Sequence, residues 1–162
     1  MLTDTFSSSY FGHGGGEQYI RSHKIRHLPR CAATMLWGCS SGLLRDMGEF
    51  DRIGTPYNYI LAGWWVIFFN LLSLCTLNLF DGRSPTLIAN LWDVTDRDID
   101  KLTQAVFDKM RLTPEARREK FSESDERDGI SIVRALAEAR EVCKLKYITG
   151  AAPVVYGIPF YL

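Results

Sequence analysis

Two short apolar runs, each bounded by small or polar residues, constrain the fold of this chain most strongly. They cover residues 31–37 (CAATMLW) and 86–92 (TLIANLW). Runs of this length are typical of buried strands and are too short for a buried helix. Helical patterns at 17–28, 56–62 and 96–110 alternate with these runs. Strands that alternate with helices predict an α/β fold with a parallel sheet covered by helices.

The helical patterns carry recognisable ends. Thr95 can cap the helix that follows it, and Asp96 and Asp98 would sit in its first turn, where the helix dipole favours negative charge. A further amphipathic helix is predicted over 132–144, and its buried face should comprise Ile132, Val133, Leu136 and Val142. Residues 152–159 contain two prolines, so an edge or terminal extended segment is expected there.

Composition excludes several function classes. Nineteen basic and nineteen acidic residues cancel and give a pI near 6.8, so no direct nucleic-acid partner is expected. The basic run at 21–27 is interpreted as a solvated helix face. The four cysteines form no CxxC pair, which argues against a metal site or a disulfide. A reducing compartment is the default expectation, and no cofactor is expected.

Two glycine-containing loops carry the candidate chemistry. His13 lies within residues 12–16 (GHGGG), and Cys39 directly follows the first apolar run. In parallel sheets, ligands bind where the strands end, so both loops are expected at that edge. A cysteine protease needs a thiolate, a base and donors for an oxyanion, which predicts Cys39 as nucleophile, His13 as base and the amides of Gly14 and Cys39 as donors. Taken singly, a structural histidine and a core cysteine remain the alternatives.

Four segments together resemble the separase family of cysteine proteases. Residues 10–20 (YFGHGGGEQYI) resemble its histidine motif and 36–42 (LWGCSSG) its cysteine motif. Residues 90–100 (NLWDVTDRDID) are similar to its third signature, and 151–159 (AAPVVYGIP) to its carboxyl-terminal motif. The resemblance implies a caspase-like parallel-sheet sandwich, with residues 1–162 forming the C-terminal protease domain.

The same resemblance implies a substrate and an inhibitor. Separases cleave after arginine in the kleisin subunit of cohesin, are inhibited by securin, and act in the nucleus and cytoplasm, with spindle association in mitosis. By position in the third signature, Asp100 is predicted to bind the arginine, with Asp93 second. Ser41 and Trp92 are predicted as further substrate-binding residues, whereas Asp96 and Asp98 are interpreted as helix-capping acids.

Two segments do not fit the family pattern. Residues 64–83 are mostly apolar and interrupt the third signature, and joining Gly63 to Ser84 restores a smooth helix, turn and strand. We interpret this interval as a foreign insert, a translated intron in a fungal-type gene, and not as a membrane span. Residues 111–128 are dense in charge and are predicted to form an exposed loop.

The start of the chain is also unusual for the family. Residues 5–9 are polar where an apolar strand is expected, so the sheet is predicted to lack its first strands and to be incomplete at the N-terminus. Two alternatives to a working endopeptidase therefore stay open. One is an inactive fragment that binds securin or other partners, and the other is a membrane-tethered protease that uses residues 64–83.

Overall fold

Apolar residues that are buried on both faces of a sheet determine the centre of the structure. In the computed structural model, residues 7–28, 31–62, 86–113 and 130–159 are described. The predicted insert at 64–83 and residues 114–128 of the predicted charged loop lie outside these ranges. No described helix is long and apolar enough to cross a membrane.

A four-stranded sheet organises the described residues. Its strands, in their order across the sheet, are β1 (Ser7–Tyr10), β2 (Ala33–Leu36), β5 (Thr86–Asn90) and β6 (Pro153–Gly157). β1, β2 and β5 are parallel, and β6 runs antiparallel to β5. The predicted α/β class and mostly parallel sheet are confirmed, and β6 is an outer strand that begins with a proline, as expected at a sheet edge.

The polar start of the chain forms a strand, so the expectation of no strand there was wrong. Ser7 pairs with Ala33 and the register continues to Tyr10, which pairs with Leu36. The Ser8 hydroxyl lies 3.3 Å from the Thr34 hydroxyl. β1 is the other outer strand of the described sheet, and its hydrogen bonds to one neighbour, β2, stabilise it without an apolar sequence signal.

Four helices and a hairpin complete the described elements. The hairpin lies between the two central strands, and a 3-10 turn and a π turn follow the last helix. These elements are α1 (Ser22–Arg26), β3 (Arg45–Met47), β4 (Phe50–Ile53), α2 (Thr55–Ile60), α3 (Asp96–Lys109), α4 (Ile132–Ala139), the 3-10 turn (Arg140–Val142) and the π turn (Lys146–Gly150). α1 is much shorter than the predicted helix over 17–28, whose first part forms turns.

The two faces of the sheet are both buried. Met35 and Ile88 point to one core, which α3 and α4 cover. Leu36 and Leu87 point to the other core, which includes Ile25 of α1 and Tyr59 of α2. Adjacent residues of a strand thus enter opposite cores, which explains why the central strands appear in the sequence as continuous apolar runs.

The buried face of α4 differs in part from the prediction. Ile132 and Leu136 are buried as expected, but Val133 and Val142 are 43% and 45% exposed. Ala135 and Ala139 are buried instead, because they share the i, i+3, i+4, i+7 face with Ile132, whereas Val133 lies beside that face and α4 ends before residue 142. Small residues on this face suit a close approach to α3.

Candidate active site

The carboxyl ends of β1, β2 and β5 meet at one edge of the sheet. Tyr10 pairs with Leu36, and Leu36 pairs with Ala89, so the loops after these strands begin side by side. The histidine loop follows β1, the cysteine loop follows β2, and the Trp92–Val94 segment follows β5.

The histidine loop is held from two sides. The Tyr10 hydroxyl donates a hydrogen bond to the His13 carbonyl at 3.1 Å. On the other side, the Thr55 hydroxyl at the start of α2 donates to the Glu17 carboxylate at 3.0 Å. Gly14 adopts φ +60°, a left-handed conformation that glycine accepts at little cost.

The cysteine loop is tied to the segment after β5. The Ser40 amide donates to the Trp92 carbonyl at 3.1 Å, and the Ser40 hydroxyl donates to the Asp93 carboxylate at 2.6 Å. Ser40 has φ +52°, which is uncommon for a residue with a side chain. Such strained residues cluster at functional sites, where surrounding contacts maintain them.

Gly38 brings the two loops into backbone contact. A Cβ atom at this position would lie 2.2 Å from the Gly14 carbonyl oxygen and 2.4 Å from that of Gly12. Only a glycine therefore fits where the cysteine loop passes the histidine loop. The predicted convergence of the two loops at one rim is present.

His13 and Cys39 line the same cavity, which has a volume of about 1220 Å³. The hairpin, the residue Leu43 before it and α2 supply another part of its wall, which includes Ile53 and Tyr57. Sequence reasoning missed this wall, because the residues of β3 and β4 are all exposed and show no alternation of apolar and polar side chains. The cavity is thus formed by the two motif loops and by residues with no motif signal.

The Cys39 thiol also contacts the backbone of Val94. The Val94 amide donates to Sγ at 3.4 Å, and Sγ is the same distance from the Val94 carbonyl oxygen. The amide would continue to donate to the sulfur of a thiolate. Sequence reasoning missed Val94, since a backbone contact leaves no trace in residue type.

The two predicted oxyanion donors are the amide of Gly14, which follows His13 in the chain, and the amide of Cys39 itself. Gly14 and Cys39 both line the cavity. Within the described residues, neither amide donates a hydrogen bond. Neither N–H group therefore has an acceptor in the described part of the chain, and each could donate to a further oxygen.

None of the predicted substrate-binding residues lines the cavity; these residues are Ser41, Trp92, Asp93 and Asp100. Asp93 is exposed and reaches the cavity edge only through its hydrogen bond with Ser40. Trp92 is 40% exposed, and its indole N–H donates to the Ile148 carbonyl at 2.8 Å. Asp100 is exposed on α3, one turn after Asp96 on the same helix face.

Ser41 is placed differently from the other predicted substrate-binding residues. It is 2% exposed, and its hydroxyl donates to the Leu36 carbonyl at 2.9 Å and accepts from the Asn90 amide at 3.0 Å. This placement links β2 to β5 and gives no support to a substrate contact by Ser41.

The acids at the start of α3 divide into two kinds. α3 begins after Thr95 as predicted, but the Thr95 hydroxyl lies 3.2 Å from the Thr149 hydroxyl and makes no cap hydrogen bond. Asp96 is exposed in the first turn. Asp98 is buried and its carboxylate accepts from the Leu145 amide at 2.8 Å, so it fixes the chain that leads into the π turn.

Cys39 is the most accessible of the described cysteines. Cys31 and Cys143 are buried, whereas Cys39 is partly exposed at the cavity. Burial, helped by the charge of Asp98, raises the pKa of the Cys143 thiol and makes it a poor nucleophile. No group of His, Cys, Asp and Glu among the described residues could hold a metal ion.

The family model and the similar sequences all point to one protein family. The family described as "Separin, protease domain" matches residues 1–99. The chain is 43% identical to the separin of Emericella nidulans over 93% of its length, and 43% identical to that of Schizosaccharomyces pombe over 100%. It spans 6% and 7% of the lengths of these two relatives.

Solved structures agree with the sequence comparison. The fold is similar to a chain in a crystal structure of the Saccharomyces cerevisiae separase–securin complex at 2.6 Å resolution, with a TM-score of 0.76 and 35% identity. This match covers 99% of the present chain and 9% of the other. A second structure of the same complex, at 3.0 Å, gives a TM-score of 0.70.

Proposed function

Because the chain belongs to the separin protease-domain family, we propose that it is a cysteine endopeptidase with Cys39 as nucleophile and His13 as general base. One observation carries the proposal most directly. Gly38 and Gly14 hold the two motif loops in backbone contact, and His13 and Cys39 line one cavity.

The geometry supports a two-step acyl transfer. His13 takes the thiol proton, and the Cys39 sulfur attacks the substrate carbonyl carbon while the oxygen turns toward the amides of Gly14 and Cys39. The imidazolium then gives its proton to the leaving amine, and a thioester remains on the sulfur. A water molecule, deprotonated by His13, hydrolyses the thioester and regenerates the thiol.

The proposed substrate is an arginine-containing site in the kleisin subunit of cohesin. Asp100 would accept the arginine, and the planar guanidinium suits a carboxylate because the two can form paired hydrogen bonds. Asp93 is the second candidate, although its carboxylate already accepts the Ser40 hydroxyl. We propose securin as the inhibitor, since the similar crystal structures are separase–securin complexes.

The proposed setting is the nucleus and cytoplasm, with spindle association in mitosis. Fluorescence microscopy of the tagged protein through a synchronised cell cycle tests this. Signal confined to another compartment at anaphase would contradict it.

Two substitutions test the catalytic residues. Cys39→Ser and His13→Ala should each abolish cleavage of an arginine-containing kleisin peptide by the protein expressed at its natural length, while thermal unfolding stays close to that of the wild type. The matched controls are Cys31→Ser and His23→Ala, because Cys31 is buried away from the cavity and His23 is exposed on α1. Cleavage by the Cys39→Ser protein would show that the nucleophile is another residue.

The arginine contact has its own test. A hydrogen bond to a charged group contributes about 1.5–3 kcal/mol, so Asp100→Ala should lower kcat/KM about 10- to 100-fold. Asp96→Ala is the matched control, since Asp96 is exposed on the same face of α3. Unchanged kinetics for Asp100→Ala together with a loss for Asp93→Ala would transfer the role to Asp93.

A further inference from the structure

Asn90 is a fully buried polar residue at the end of β5, and its side chain holds the peptide that precedes the nucleophile. Its exposure is 0%. Its Nδ2 group donates to the Trp37 carbonyl at 2.9 Å and to the Gly38 carbonyl at 3.1 Å. Both acceptors lie directly before Cys39 in the chain.

The backbone of Asn90 holds the other side of the same loop. Its amide donates to the Ser41 hydroxyl at 3.0 Å, and its carbonyl accepts from the Gly42 amide at 2.7 Å. Cys39 is therefore enclosed between residues that Asn90 contacts before it and after it in the chain. The thiol itself has no part in these contacts.

The orientation of the Asn90 amide is determined by its partners. Two carbonyl oxygens face Nδ2, so a flipped amide would bring Oδ1 against them and lose both hydrogen bonds. Oδ1 is buried and has no hydrogen-bond partner within the described part of the chain. An unpaired buried oxygen costs free energy, so the two donated bonds outweigh that cost in this arrangement.

The Gly38 carbonyl and the Cys39 amide belong to one peptide group. A trans peptide is planar, and its C=O and N–H point in opposite directions. The hydrogen bond from Nδ2 to the Gly38 oxygen, shorter than the 3.4 Å bond that the Ser41 amide donates to the same oxygen, therefore sets the direction of the Cys39 N–H. It also polarises the peptide, which makes that N–H a stronger donor.

We propose that Asn90 is a positioning residue that aims the Cys39 amide at the oxyanion of the acyl-transfer step. The inference rests on the proposed endopeptidase function, because it needs Cys39 as the nucleophile. Asn90 touches neither the thiol nor the imidazole, so its effect is on the alignment of the oxyanion donor. Removal of one oxyanion-hole donor costs about 10²–10³ in kcat, and misalignment of a donor that remains should cost less.

Two substitutions of different kinds test this role. Asn90→Asp keeps the shape but places an oxygen against the two carbonyls, and Asn90→Ala removes the side chain. Each should lower kcat about 10- to 100-fold with KM within about threefold, and should weaken inhibition by an arginine peptide aldehyde, whose adduct with the thiol carries an oxyanion. The rate of Cys39 alkylation by iodoacetamide should stay within about threefold of wild type, because alkylation forms no oxyanion.

The matched control is Thr149→Val, which changes another fully buried polar residue that lies outside the cavity. It should lower stability without changing kcat. Equal losses of alkylation and cleavage in the Asn90 variants would show general disorder of the loop and would overturn the inference. So would wild-type kcat in a folded Asn90→Asp protein.

Failure of the inference and failure of the proposed function give different results. If Cys39→Ser abolishes cleavage and both Asn90 variants cleave normally, only the positioning role is wrong. If Cys39→Ser still cleaves, or if the wild type neither cleaves nor binds the aldehyde, the endopeptidase proposal is wrong and the positioning role falls with it.

Discussion

Gly38→Ala tests the central geometric claim, that the two motif loops touch and that their contact sets the site. The added Cβ would lie 2.2 Å from the Gly14 carbonyl oxygen, 2.4 Å from the Gly12 carbonyl oxygen and 2.9 Å from the Gly14 amide nitrogen. All three neighbours are backbone atoms, so no side-chain rotation can relieve the overlap. The histidine loop or the cysteine loop has to move.

The size of the effect follows from these distances. Real Cβ contacts essentially never fall below 3.0 Å, so the 2.2 Å contact requires a shift of at least about 0.8 Å. A misplacement of about 1 Å between reacting groups can cost about 10²-fold in rate. Overpacking of this kind destabilises a protein by about 1–3 kcal/mol, from which about 0.4–1 kcal/mol is recovered because alanine restricts the unfolded chain.

The assay compares kcat/KM on an arginine-containing peptide with the rate of Cys39 alkylation and with the urea midpoint. Gly38→Ala should lower kcat/KM about 100-fold and slow alkylation, because the shift would move the proposed base, His13, away from the Cys39 thiol. Gly150→Ala is the matched control, since its Cβ would meet its nearest neighbours at 3.4 Å. A folded Gly38→Ala protein with kcat/KM within about twofold of wild type would refute the loop contact as a determinant of the site.

Three further substitutions test the fold. Burial raises the pKa of Tyr59 to about 12, above its unfolded value of about 10, so the stability linked to its neutral form is complete below pH 10 and is lost as the pH rises toward 12. Tyr59→Phe should abolish that loss, which is measured as the difference in the free energy of unfolding in urea between pH 9 and pH 11. The same difference in Tyr59→Phe and in the wild type would contradict this. Asp98→Ala should cost about 1–3 kcal/mol in urea unfolding, because the Leu145 amide loses its acceptor, and a cost below about 0.5 kcal/mol would refute this. Leu136→Ala should cost about 2–5 kcal/mol, since Leu136 is 2% exposed, and near-neutral behaviour would show that this core is loosely packed.

The central strands were predictable because burial on both faces leaves a continuous apolar run. β1 was not predictable in the same way. Its residues are serines and a tyrosine, and its pairing with β2 is visible only in three dimensions. The β3–β4 hairpin was missed for a related reason, since its strands are exposed and its turn depends on Gly48 at φ +71°.

The motif residues were predictable, but the contacts that align them were not. His13 and Cys39 follow from their loops and from the family resemblance. Val94 contacts the thiol through backbone atoms, so any residue type would make the same hydrogen bond. Asn90 carried a weak signal, because a polar side chain at the end of an apolar strand needs a buried partner. Sequence alone could not show that its partners directly precede Cys39.

One peptide group connects the separate motifs. Gly38 contributes a Cα that leaves room for the histidine loop and a carbonyl that accepts from Asn90, while the amide of the same group belongs to Cys39. The two contacts control different quantities, since the first sets the distance between the loops and the second sets the direction of one N–H. Gly38→Ala should therefore slow both alkylation and peptide cleavage, whereas Asn90→Asp should slow cleavage and leave alkylation nearly unchanged. If both variants slowed alkylation and cleavage to the same extent, the position of the proposed base and the direction of the Cys39 N–H would not be controlled separately.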